Sequence, residues 1–201
     1  MKKQLPIYLY YPNILGYVRV FLLFFGLYVI KTNPILGCTC FTGNLILDAA
    51  DGYLARLLKQ VSAFGAILDY SVDRISLASY ALLLATIYPQ YLLLFCLIMN
   101  LDLASHFFHM KASQHKVSHK EVASNEPWIL RLYYKKVVLG TACLTHDLFF
   151  IFLYLYKFFP GLPLAICLGI TSVGAVFKTV VHITQIVRAS VNLLAESKKI
   201  I

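Results

Sequence analysis

Residues 48–73 read DAADGYLARLLKQVSAFGAILDYSVD, and this stretch decides how the chain is understood. Asp48, Asp51, Asp69 and Asp73 stand in it, with strongly apolar sequence on both sides. They are four of only nine acidic residues in the chain. An ionised carboxylate in hydrocarbon costs on the order of several kcal/mol unless it is paired or bound to a metal. The spacing indicates what compensates them. Read as helix, Asp48, Asp51, Gly52, Ala55 and Arg56 fall at i, i+3, i+4, i+7 and i+8, which is one face. Asp69 and Asp73 are i and i+4, also one face, and Gly65 sits one turn before them. Gly65 and Ala55 let two helices approach closely. Two such helices facing each other bring four carboxylates to one place.

Four converging carboxylates need cations. An all-oxygen ligand set suits Mg²⁺ or Mn²⁺ better than zinc or copper. Four carboxylates can hold two ions, the arrangement that clamps phosphates during in-line displacement. Arg56, one turn beyond Gly52, is placed to grip a phosphate with two hydrogen bonds. Gly52 removes a side chain where a substrate approaches the backbone. Pairing with Arg56 and Arg74 alone leaves the charge unbalanced, since two arginines do not neutralise four aspartates. A divalent-cation transporter is the rival from another class, but a transport path calls for ligands near the bilayer midplane.

The surrounding sequence is that of a membrane protein. Of 201 residues 60% are hydrophobic, and mean hydropathy is +0.73; a soluble domain is nearer about 45–50% apolar. Six spans are expected: about Leu15 to Ile30, Ile35 to Leu58, Gly65 to Tyr88, Gln90 to Met110, Lys136 to Phe159 and Leu162 to Leu194. Pro34, Pro89, Pro160 and Pro163 punctuate the turns. The expected fold is an all-α integral membrane protein, one domain over residues 1–201, with six transmembrane helices around a cytoplasm-facing polar, metal-containing cavity. The N-terminal MKKQLPIYLYYPNILGY, interrupted by Pro6, Pro12 and Asn13, does not read as a cleavable signal peptide. Its IYLYY segment suits an aromatic belt.

The net charge of +9 invites a nucleic-acid reading, but the basic residues lie in turns between apolar spans. With both termini cytoplasmic, Lys2, Lys3, Arg56, Lys59, Lys111, Lys116, Lys120, Arg131, Lys135, Lys136, Arg188, Lys198 and Lys199 share the cytoplasmic side, against Lys31 and Lys157 opposite. That bias is the positive-inside pattern, with anionic membrane lipids as the partner and no nucleic acid. Arg19, Arg74 and Lys178 remain within or near spans. The polar segment from Lys111 to Glu126 is the one long loop. Cys38, Cys40, Cys96, Cys143 and Cys167 read as small core residues, because no second pair completes a zinc site with C-x-C.

The stretch matches in full the pattern D-x-x-D-G-x-x-A-R-x8-G-x-x-x-D-x-x-x-D, and in this it resembles the CDP-alcohol phosphatidyltransferases. Beyond the motif, YYPNILGYVRV (10–20), NLDLASHFFHM (100–110) and LRLYY (130–134) are similar to the eukaryotic branch of that family that uses inositol. Lys135 and Lys136 depart from that pattern, and the C-terminal half is only loosely similar. The resemblance implies transfer of a phosphatidyl group from CDP-diacylglycerol to myo-inositol, giving phosphatidylinositol and CMP. It assigns Asp48, Asp51, Asp69 and Asp73 to the metals and Gly52, Arg56 and Ser62 to the CDP-diacylglycerol headgroup. It makes Asp73 the base, and it implies an endoplasmic reticulum membrane and a homodimer. Glycerol 3-phosphate and serine are the alternative acceptors within the family.

Weaker signals lie further along. Asp102, His106 and His109 share a helical face, and Asp102 and His106 could line an inositol pocket, hold a metal or pack by buried hydrogen bonds. Arg131 is a candidate inositol contact by position, beside Tyr133 and Tyr134. His146, Asp147, Lys178 and His182 read as structural. Gly140, Ala142, Gly169 and Gly174 read as sites of close helix contact.

Overall fold

The computed structural model describes residues 5–114 and 127–200. Lys2, Lys3, Lys116 and Lys120, most of the loop from Lys111 to Glu126, and the side chains of Lys198 and Lys199 lie outside the described residues. Every regular element among the described residues is helical. These are α1 (Tyr11–Val29), α2 (Pro34–Leu57), α3 (Ala63–Ile87), α4 (Leu92–Gln114), α5 (Trp128–Tyr133), α6 (Lys136–Phe158) and α7 (Leu162–Ile200). Short 3₁₀ turns at Ile7–Leu9 and Pro89–Tyr91 precede α1 and α4.

The six long helices coincide with the six expected spans. Four segments are long and apolar enough to cross a membrane: Tyr11–Val29, Pro89–Lys111, Lys136–Phe158 and Leu162–Ala195. Helices α2 and α3, at 24 and 25 residues, have the length but not the hydropathy. The shortfall has an identifiable source. Asn44, Asp48, Asp51 and Arg56 weigh on α2, and Asp69, Asp73 and Arg74 weigh on α3.

Local chemistry sets the helix ends around the motif. Asn33 caps α2 by accepting from the Leu36 amide at 3.0 Å, with Pro34 at the first helical position, where no amide is needed. The other end of α2 closes on Lys59, which adopts a left-handed φ of 54°. There the Lys59 amide bonds to the Arg56 carbonyl and the Gln60 amide to the Ala55 carbonyl, at 3.3 and 2.9 Å, the Schellman pattern. A side chain in that conformation costs about 1–2 kcal/mol. Lys59→Gly should therefore raise stability by up to about 1 kcal/mol, read as a higher melting temperature of the detergent-solubilised protein. An unchanged or lower value would show that the turn carries no such strain.

The contacts of the chain divide into two compact units. The first comprises Met1–Leu82 and Phe150–Ala165, the second Leu83–Phe149 and Ile166–Ile201. In the first, α1 and α2 pack closely around Leu23, Ile30 and Phe41. A Cβ at Gly37 would stand 2.8 Å from the Ile30 Cα, so this crossing requires glycine. The Phe41 and Tyr80 rings meet at 4.8 Å, and the Tyr154 hydroxyl donates to the Ile30 carbonyl at 3.0 Å. In the second unit, Leu130, Tyr133, Ala142 and Val181 form a buried apolar cluster. Gly174 is pressed against Thr145, but a Cβ at Gly140 or Gly169 would meet nothing within 4 Å. Among the described residues, then, only the first of these three glycines serves close packing.

Candidate active site

All four motif aspartates lie in the first unit, and one guanidinium joins them. Arg19 of α1 is 2% exposed. Its Nη1 donates to Asp51 Oδ2 at 2.8 Å and to Asp69 Oδ1 at 2.7 Å. Its Nη2 donates to Asp73 Oδ1 at 2.5 Å and lies 2.7 Å from Asp48 Oδ1. Its Nε donates to Asn44 Oδ1 at 3.2 Å. A guanidinium has five N–H groups; here four oxygens accept hydrogen bonds from it, and Asp48 Oδ1 completes the set as an ion pair. Asn44 is itself oriented, donating through Nδ2 to Ser76 Oγ at 2.9 Å and reaching Tyr80 Oη at 3.5 Å.

The two helix faces read from the sequence therefore converge, with α1 supplying a partner the motif does not contain. Arg74 lies 3.7 Å from Asp73 Oδ2, with its guanidinium 5.9 Å above the Tyr70 ring. Arg56 has a different place. It is exposed and folds back over Gly52, where a Cβ would stand 3.5 Å from its Nη1. Sequence reasoning weighed Arg56 and Arg74 as the counter-charges and passed over Arg19 in that role. The signal was present: an arginine inside an apolar span is itself costly and calls for an acidic partner.

The charge count still favours a metal. Four carboxylates against Arg19 and Arg74 leave a formal −2. One oxygen from each of Asp48, Asp51 and Asp69 lies within 4.8 Å of the others. The donor set is all oxygen, as hard divalent cations require. The residues thus fit a divalent cation.

Beside the carboxylates is a cavity of about 330 Å³. Asp51, Gly52, Arg56, Ser62 and Asp69 line it, as does Asn13 of α1. Ser62 also caps α3, its Oγ accepting from the Gly65 amide at 3.0 Å. Gly65 is where α1 comes closest: a Cβ there would stand 2.7 Å from Asn13 Oδ1 and 3.1 Å from Ser62 Oγ. Asn13, buried, is fixed through Nδ2 to the Ile7 carbonyl at 2.6 Å. At about 1.5 Å rise per residue, Asp51 and Asp69 lie about 9 Å from the ends of α2 and α3 that face this cavity. Asp48 and Asp73 lie about 14–15 Å in.

The remaining candidates lie in the second unit. Asp102 Oδ1 is 3.0 Å from His182 Nε2, and His182 Nδ1 is 2.7 Å from Ser105 Oγ and 3.3 Å from Gln185 Oε1. Gln185 in turn donates to the Tyr134 hydroxyl at 3.0 Å. His106 joins through Nδ1, 2.8 Å from the Asp102 carbonyl. Asp102, Ser105 and His182 are all buried. His182, read from the sequence as structural, is thus drawn into the Asp102 cluster. His109 lies on the exposed side of α4, its ring 6.1 Å from that of Tyr134. Arg131 is exposed on α5. His146 contacts Asp147 at 3.0 Å and Lys178 at 3.5 Å.

These features define a polyanionic, oxygen-donor site opening on a cavity that carries a guanidinium, within an all-helical membrane protein. The family model for the CDP-alcohol phosphatidyltransferases matches residues 9–187, and the chain belongs to that family. Among curated relatives it is 39% identical to the CDP-diacylglycerol–inositol 3-phosphatidyltransferase of Schizosaccharomyces pombe over 165 residues, 81% of this chain and 70% of the relative. It is 38% identical to that of Saccharomyces cerevisiae, covering 94% of this chain and 88% of the relative. The human enzyme of that name is 33% identical, with 94% and 93% covered. No solved structure matches the chain.

Proposed function

We infer that this chain is a phosphatidylinositol synthase, transferring the phosphatidyl group of CDP-diacylglycerol to myo-inositol with release of CMP. The observation that carries the reading is the convergence of Asp48, Asp51, Asp69 and Asp73 beside a cavity bearing Gly52 and Arg56, in a chain whose relatives bear that activity in their names.

Asp48, Asp51, Asp69 and Asp73 would hold two Mg²⁺ or Mn²⁺ ions. Such ions would supply charge neutralisation for the diphosphate and for the departing CMP. The chain's own residues do the rest. Arg56, exposed at the cavity, pairs with a diphosphate oxygen, and Gly52 leaves room for it. Ser62, which lines the cavity, offers its hydroxyl to the same anion. An inositol hydroxyl attacks the phosphatidyl phosphorus, the bond to the CMP oxygen breaks, and the hydroxyl proton passes to Asp73. Arg19 occupies Asp73 Oδ1, so Oδ2, 3.7 Å from Arg74, is the oxygen left to meet both the ions and the proton. In this reading Asp102, His106 and Arg131 contribute to the inositol pocket. Within the second unit, the network of His182, Ser105 and Gln185 holds Asp102 in place.

The same reading makes α2 and α3 spans as well. At about 1.5 Å per residue they reach about 36–37 Å, enough to cross a core about 30 Å thick. The chain is then a six-span, single-domain protein of residues 1–201, and the family match running from residue 9 to 187 supports this. The bias of positive charge supports a cytoplasmic motif end; the family resemblance supports an endoplasmic reticulum membrane and a homodimer.

Membranes containing the protein, supplied with CDP-diacylglycerol, Mn²⁺ and a panel of labelled alcohols, test the acceptor. CMP release is expected with inositol and not with serine or glycerol 3-phosphate. Release with one of those instead would overturn the acceptor assignment.

A further inference from the structure

Arg19 is the most highly connected side chain of the site, and the transfer reaction as described gives it no part. Its setting points to one. The guanidinium is 2% exposed, whereas the Asp48, Asp69 and Asp73 side chains are 36, 47 and 32% exposed. The arginine thus lies on the buried side and the carboxylates stand between it and solvent. It takes a single oxygen from each: Oδ1 of Asp48, Oδ2 of Asp51, Oδ1 of Asp69 and Oδ1 of Asp73. A carboxylate has two oxygens, so a second oxygen of each is not held by Arg19; that of Asp73 lies 3.7 Å from Arg74. Asn44 locks the fork by receiving the fifth N–H, and Ser76 and Tyr80 lock Asn44.

We propose that Arg19 is the positioning residue of the cation site: a buried fork that holds one oxygen of each motif aspartate and turns the other toward the metals. This inference rests on the cation-site reading above. Three helices carry the four carboxylates and their organiser, and like charges at this spacing repel. A fixed cation beneath them keeps the ligands together before any metal arrives, so that binding does not have to assemble them. Ligand-orienting partners of this kind are typically worth about 10–100-fold in metal affinity. Lysine cannot replace the fork, because it offers three donors from a single point rather than five in a plane.

The test is direct Mn²⁺ titration of the full-length protein in detergent micelles, without substrate, followed by the loss of the free-ion electron paramagnetic resonance signal. Arg19→Lys keeps the charge and loses the fork. It should weaken Mn²⁺ binding at least about tenfold and alter the bound-ion spectrum, at an unchanged elution volume. Asn44→Ala keeps Arg19 and removes only its lock, and it should shift binding in the same direction by a smaller factor. It also serves if Arg19→Lys does not fold. Wild-type affinity in both variants, or in Asn44→Ala alone where Arg19→Lys is lost, overturns the proposal. So does tighter binding in Arg19→Lys, which would make the guanidinium a competitor of the metal. No Mn²⁺ binding by the wild-type protein would remove the cation-site reading itself.

Discussion

Asp73→Asn is expected to abolish phosphatidyl transfer while leaving CDP-diacylglycerol bound. Asparagine keeps the size of the side chain and an oxygen that can still accept from Arg19 Nη2. It loses the negative charge and the ability to take a proton. General-base loss alone lowers turnover by about 10²–10⁴-fold, and the weakened cation site adds to that. Turnover is read as CMP release, and binding as retention of labelled CDP-diacylglycerol on the purified protein. Turnover within tenfold of wild type would remove Asp73 from the role of base.

Gly65→Val should block the nucleotide cavity from the other side. The first added carbon alone would stand 2.7 Å from Asn13 Oδ1, and Asn13 is not free to retreat, being buried and bonded to the Ile7 carbonyl. A branched side chain must therefore displace the start of α1 or fill the space that Ser62 and Arg56 border. The expected result is a fall in kcat/KM for CDP-diacylglycerol of about 100-fold or more, a loss of transition-state stabilisation of about 2.7 kcal/mol. Mn²⁺ binding should persist, because no carboxylate touches Gly65. A parallel loss of Mn²⁺ binding would mean that the helix crossing, not the cavity, depends on this glycine.

Much of this was legible because the site is built on helices. The i, i+3 and i, i+4 spacings fix which residues share a face before any tertiary contact is known. Asp48, Asp51, Gly52 and Arg56, and Asp69 with Asp73, could therefore be grouped from the sequence alone. The start of α2 was legible in part: Pro34 reads as punctuation and opens the helix, but the Asn33 cap was not singled out. Lys59 was not legible. Nothing in its identity announces a left-handed turn, which the geometry between α2 and α3 imposes.

Arg19 escaped for a different reason. It lies 29 residues before Asp48, and periodicity says nothing about which helix packs on which. Only the cost of a buried guanidinium could have pointed to it. The same holds for His182 and Gln185, which join Asp102 and Ser105 across long stretches of chain. The short helix α5 carries too little apolar periodicity to be read, and its Arg131 stays exposed. The hydropathy of α2 and α3 was legible only in part. Their apolar residues suggested ordinary spans, while the carboxylates that give the site its chemistry lower both helices below the hydropathy of the other four.

In this account the carboxylate cluster, through the divalent ions it holds, carries the transfer. The most direct measurement uses the purified protein with CDP-diacylglycerol labelled at the phosphatidyl phosphorus and with myo-inositol. Wild-type protein should form labelled phosphatidylinositol with Mn²⁺ or Mg²⁺ and none in excess chelator, and Asp51→Asn should form none at any metal concentration. Undiminished product in chelator, or from Asp51→Asn, would contradict the account.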